Sequence, residues 1–108
     1  MNGYELIKKV TEESREELIA CRRDFHKHAE TGWFEMRTSS LIARKLTELG
    51  YEVLTGEEVC DPEARMGVPS EQELEEGYQR ALAQGGDPEF LERGQRPHRA
   101  GCSSRKRR

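Results

Sequence analysis

The sequence predicts a mostly helical chain with one short strand, in the order helix, helix, strand, helix, helix, and one that is incomplete as a fold. Three observations carry this. Apolar residues recur at threes and fours through the first half. A single alternating run follows Gly50. Hydrophobic residues make up only 33% of the 108 positions and charged residues 36%, where globular domains typically hold about 45–50% and 25%.

Residues 3–27 read as one amphipathic helix. Ile7, Val10, Leu18, Cys21 and Phe25 form its stripe once Ser14 is admitted, and Lys8, Lys9, Glu12, Glu13, Glu16 and Arg23 form the solvated side. Glu30-Thr31-Gly32 interrupts the period. A second stripe of Thr38, Leu41, Ile42, Leu46 and Leu49 then runs to Gly50, which ends the helix. Tyr51-Glu52-Val53-Leu54 alternates and follows a glycine, so it is expected to be a strand. Residues 55–70 hold Gly56, Pro62, Gly67 and Pro69 without a sustained period and read as a loop or insertion.

Ser70 and Glu73 have the spacing of a capping box, so a third helix starts there, with Leu74, Tyr78 and Leu82 facing inward and Gly85-Gly86 closing it. Asp87-Pro88 then pairs an N-cap residue with proline at the first helical position, where its missing N–H costs nothing. The fourth helix holds Phe90 and Leu91 and then runs out of apolar residues. Residues 93–108 are basic and aperiodic with almost nothing to bury, and a disordered tail is expected.

The net charge of −3 conceals a division. Residues 93–108 carry seven Lys or Arg and no acid, leaving eleven bases against twenty-one acids before them. A body ten charges negative does not attract nucleic acid or anionic membrane over distance, so nucleic-acid binding is not expected outside the tail. Cys21, Cys60 and Cys102 are odd in number and far apart, which supplies neither a disulfide framework nor a metal knuckle and fits a cytoplasmic setting. No stretch approaches the roughly 18 apolar residues that span a bilayer, and the first ten residues contain no apolar signal core.

Candidate chemistry is sparse. His26 and His28 are two apart, about 200° around a helix, and cannot share one metal ion there; a capping or hydrogen-bonding role is the expectation. The paired acids at 12–13, 16–17, 57–58 and 75–76 lie among other charges, whereas general acid or base work needs a desolvated group. No phosphate loop, nucleophile elbow, dinucleotide fingerprint or zinc spacing is present.

The segment Arg22-Arg23-Asp24-Phe25-His26-Lys27-His28-Ala29-Glu30-Thr31-Gly32-Trp33 resembles the opening block of the amidohydrolases of metallopeptidase family M twenty. Glu35-Met36-Arg37-Thr38 and Leu46-Thr47-Glu48-Leu49-Gly50-Tyr51 match the following helix and strand in the same order. Most members have proline where Ala29 stands; Ala-Glu-x-Gly-Trp is instead similar to the aminobenzoyl-glutamate hydrolase A-subunit branch, as is Ala64-Arg65-Met66-Gly67-Val68-Pro69.

The resemblance implies an α/β class, with residues 1–92 as the N-terminal helices and first strand of a metallopeptidase catalytic domain. It implies metal-dependent amide hydrolysis by the complete enzyme, using two divalent ions, zinc or manganese, and a small amide substrate such as aminobenzoyl-glutamate. A homodimer or a partner subunit is implied as well. The family's ligand segments have no counterpart here, so this chain is expected to lack catalytic and metal residues, to bind no metal and to be inactive alone. His26, His28, Glu30, Gly32 and Trp33 match the block, and a structural role is expected of them.

The likeness stops near Arg93 together with the periodicity and the acids, and an out-of-frame origin for residues 93–108 is the expectation. Two rival readings are a small helical interaction module and a complementing fragment that joins a separate chain.

Overall fold

The computed structural model describes residues 1–94. Among them are five α-helices: α1 (Gly3–Glu13), α2 (Arg15–Lys27), α3 (Met36–Glu48), α4 (Glu71–Ala83) and α5 (Pro88–Gly94). Two short 3-10 turns, Gly56–Glu58 and Pro62–Ala64, lie within residues 55–70.

The helix expected over residues 3–27 is divided at Ser14, whose backbone sits at φ −91° and ψ −2°. The division is shallow. The Ser14 N–H donates to the Val10 carbonyl at 3.0 Å and the Leu18 N–H to the Ser14 carbonyl at 3.0 Å, so the helical ladder crosses the junction. Asn2 and Glu5 form a capping box at the start of α1, with the Glu5 N–H donating to Asn2 Oδ1 at 2.9 Å. No residue of α1 or α2 is buried.

The core lies where α3, α4 and α5 meet. Met36, Tyr78, Ala81 and Leu91 form it, with Phe34, Leu74 and Leu82 packed at its edge. Tyr78, Leu74 and Leu82 are the inward residues expected of the third helix. The capping box at its start is also present, with the Glu73 N–H donating to Ser70 Oγ and the Ser70 N–H to Glu73 Oε2. Asp87 caps α5 through the Phe90 N–H, which donates to Oδ1 at 3.2 Å. α5 extends through Arg93 and Gly94, so the expected coil begins two residues too early; the rest of that stretch, residues 95–108, lies outside the described residues.

One expectation is corrected. Residues 51–54 are not a strand, and no strand exists among the described residues. The Tyr51 N–H donates to the Leu46 carbonyl and the Gly50 N–H to the Thr47 carbonyl, while Gly50 takes φ +91°. That is a Schellman termination, which engages the first N–H of the expected strand, and no neighbouring strand is present to bond the others. In α3, Ile42 is 44% and Leu49 62% exposed, while Met36, Arg37, Ser40 and Ala43 are buried. α4 and α5 cover the less apolar side of α3.

Candidate functional site

The described residues that match the family block gather where α2 ends and α3 begins. α2 stops at His28, whose backbone N–H donates to the Asp24 carbonyl and whose Nδ1 lies 3.1 Å from the same oxygen. Nδ1 is also 3.4 Å from Asp24 Oδ1. His26, in the last turn of α2, is exposed. The two imidazoles therefore occupy different surroundings, as their spacing implies.

α3 starts at Met36 without a side-chain cap from Glu35. Glu30 supplies the cap from six residues before the helix. Its Oε2 accepts from the Arg37 N–H at 2.9 Å and its Oε1 from the Thr38 N–H at 2.8 Å. A carboxylate there satisfies two free amides and meets the positive end of the helix dipole. Gly32 is exposed with open space around its α-carbon. Trp33, next to it, takes φ +69°, a left-handed conformation costly for a bulky residue. The indole Nε1 donates to the Met66 carbonyl at 3.1 Å, and the Arg65 guanidinium lies 5.6 Å from the ring centroid. Trp33 thus ties the block to residues 55–70, the second stretch carrying the resemblance. A cleft of about 430 Å³ opens between them, with Trp33, Met36, Cys60, Arg65 and Leu74 in its walls.

The residue that joins these parts is one the sequence does not single out. Arg37 is 5% exposed. One amino nitrogen, Nη2, donates to both oxygens of Asp24, and Nε donates to the Gln84 carbonyl at 2.8 Å, linking α2, α3 and the end of α4. Its Nη1 is buried without a partner among the described residues. Glu35-Met36-Arg37-Thr38 carries a family match, but an arginine in a charged segment bears no sequence mark of burial.

A second ionic cluster holds α3 to α5. Arg44 donates to Asp87 Oδ2 at 2.8 Å and to Glu89 Oε2 at 2.6 Å. The guanidiniums of Arg44 and Arg93 each lie 4.9 Å from the centroid of the Phe90 ring. The Arg44 hydrogen bond holds the Asp87 carboxyl below its ordinary value of 3.8, and Asp87 and Glu89 raise the guanidinium further above its own. On the outer side of α3, Lys45 reaches Glu17 of α2 at 3.0 Å, and this bond raises the ammonium pKa. Among the described residues no three His, Cys, Asp or Glu side chains converge as a metal site would require. Nor is any helix there long and apolar enough to cross a membrane.

No family model matches the chain. It is 43% identical over 75 residues to an indole-3-acetyl-aspartic acid hydrolase of Enterobacter agglomerans, covering 69% of this chain and 17% of that protein. It is 48% identical over 68 residues to one of the subunits of the p-aminobenzoyl-glutamate hydrolase of Escherichia coli (strain K12), covering 63% and 16%. The crystal structure of an aminobenzoyl-glutamate utilization protein from Klebsiella pneumoniae superposes with a TM-score of 0.77 at 38% identity, over 82% of this chain and 22% of that one. The chain is a homologue of part of these hydrolases. It spans about a sixth of the length of the curated relatives it matches. Most of the helical arrangement described above therefore also occurs in that utilization protein, with most of that protein lying outside the matched part.

Proposed function

We propose that this chain corresponds to the N-terminal portion of an amidohydrolase of the aminobenzoyl-glutamate hydrolase type, the part that braces an α/β catalytic domain, and that alone it hydrolyses nothing. The observation that carries this reading is the superposition at a TM-score of 0.77 and 38% identity over 82% of the chain but only 22% of the solved aminobenzoyl-glutamate utilization protein. Agreement in both sequence and arrangement over so small a share of the larger protein fits a piece of that enzyme better than an independent module.

In the complete enzyme the reaction is cleavage of an amide such as that of aminobenzoyl-glutamate, with two divalent ions, zinc or manganese, polarising the substrate and activating water. The described residues do not fit such ions. His26 is exposed, the His28 ring is engaged by Asp24, and no third donor joins them. Metal ligands and catalytic groups accordingly belong to the rest of the enzyme, together with its homodimer or partner-subunit contacts. The work of this chain is mechanical. Asp24 and Arg37 fix α2 against α3, Glu30 starts α3, and Trp33 holds residues 55–70 in place. A cytoplasmic setting accords with the exposed thiols of Cys21 and Cys60.

A chimera tests this. The segment of the Escherichia coli relative that matches this chain is replaced by the corresponding residues of this chain, and release of aminobenzoate from aminobenzoyl-glutamate is measured. Hydrolysis within about tenfold of the parent is expected; a folded, metal-loaded chimera without turnover overturns the reading. The 108-residue chain alone, supplied with zinc or manganese, is expected to show neither turnover nor stoichiometric metal.

A further inference from the structure

We infer that residues 57–66 form a hinged strap on one wall of the cleft beside α3 and α4, and that Trp33 is the latch holding it shut. In the closed arrangement the strap supplies Val59, Cys60 and Arg65 to the cleft, across from Met36 and Leu74. Every residue of 57–66 is exposed except the half-buried Pro62, so packing does little to hold the segment in place. Hydrogen bonds within it are local, as from the Ala64 N–H to the Asp61 carbonyl and from Arg65 Nε to the Pro62 carbonyl, and they travel with it.

A glycine at positive φ stands at each end, Gly56 at +60° and Gly67 at +66°. Glycine takes such dihedrals, and leaves them, without steric cost, which is what a hinge requires. The two ends differ. A Cβ added at Gly56 would lie 3.2 Å from the Arg93 carbonyl oxygen, whereas one at Gly67 would meet nothing within 4 Å. Gly56 is therefore anchored against the end of α5, and Gly67 is the freer hinge.

The latch carries strain. The Phe34 N–H donates to the Thr31 carbonyl at 2.8 Å, closing a turn whose third residue is Trp33 at φ +69°. Glycine is the usual occupant of such a position, and a tryptophan held there costs backbone energy. Its reach offsets the cost: the indole Nε1 donates to the Met66 carbonyl, beside the Gly67 hinge, and Arg65 lies over the ring. Strain in the turn opposes the contacts that close the strap, so the open arrangement lies near the closed one in energy. Breaking those contacts frees the strap and Trp33 together.

Trp33 is the single tryptophan, so fluorotryptophan incorporated into the full 108-residue chain gives one fluorine NMR signal for each arrangement. Gly67→Ala penalises the closed dihedrals without touching a neighbour, and the ratio of open to closed signal should rise about tenfold. Arg65→Ala loosens the latch and should raise the same signal. Gly50→Ala is the control: Gly50 has φ +91° and equally open space but ends α3, and the ratio should stay as in the parent. Circular dichroism checks that each variant keeps the parent's helix content; should G67A lose helix, R65A decides. The inference is overturned if the spectrum is unmoved by both G67A and R65A, or if G50A raises the second signal as much as G67A does.

Discussion

Both carboxylate oxygens of Asp24 lie 3.0 Å from a single guanidinium nitrogen of Arg37, whose side chain is almost wholly buried between α2, α3 and the end of α4. Removing the carboxylate leaves Arg37 with the Gln84 carbonyl as its remaining side-chain acceptor among the described residues. Asp24→Ala is therefore expected to lower stability by about 1–3 kcal/mol, the cost of leaving a buried charged donor unpaired. Urea titration followed by circular dichroism measures this; an unchanged midpoint would show that the pair contributes nothing.

Glu30 caps a helix it does not belong to. Glu30→Ala removes the acceptor of two amide N–H groups at once and is expected to cost about 1–2 kcal/mol. Glu30→Gln, which keeps an oxygen but no charge, should cost less. Backbone amide exchange at Arg37 and Thr38 is the direct readout, and it should quicken in the alanine variant.

The Asp87 carboxyl is held down by the hydrogen bond from Arg44. A group whose folded pKa is depressed contributes stability that is present above its unfolded value and lost as pH falls through the folded one. Stability should therefore decline as pH drops below about 4. Asp87→Asn keeps the cap acceptor but removes the charge, so the part of the acid-side decline due to this site should disappear. Denaturation midpoints between pH 2 and 6 decide it.

Trp33 is the single tryptophan of the chain. Its fluorescence reports whether residues 55–70 remain docked, because its Nε1 is bonded to the Met66 carbonyl and its ring lies near Arg65. Arg65→Ala should shift emission toward that of exposed indole while leaving helix content unchanged. An unaltered spectrum would mean that the cation contributes nothing to docking.

An added methyl at Gly77 would meet Phe34 Cδ1 at 2.6 Å. Alanine gains helix propensity of about 1 kcal/mol over glycine. Displacing a ring at the core edge costs about 1–3 kcal/mol, so Gly77→Ala is expected to be neutral to destabilising. A thermal melt of G77A checks the sign, and a clear rise in midpoint would contradict it.

The features legible in the sequence are those governed by residues within a turn of one another. Ser70 with Glu73 marks the start of α4, Asp87-Pro88 the start of α5, and Gly50 and Gly85, both at positive φ, the ends of α3 and α4. Each is a local trade between a side chain and backbone groups left free at a helix end. Asn2 and Glu5 form the same kind of pair at α1, which the apolar stripe alone does not reveal.

Contacts between distant residues decided the rest. The alternation of residues 51–54 suits a strand, yet a strand exists only beside another, and the Tyr51 N–H is engaged by the end of α3. The stripe of α3 shows that one side is apolar but not which side its neighbours take; they take the side of Met36 and Ser40, leaving Ile42 and Leu49 outside. The resemblance marks Glu30 as structural without saying what it holds, and Arg37 reads as an ordinary surface charge, until folding places one at a helix start and the other between three helices. Short-range spacing thus determined where the helices begin and end, because capping is settled within four residues. Which charges are buried and which apolar faces are covered was decided only by tertiary structure, because burial depends on what the rest of the molecule brings alongside.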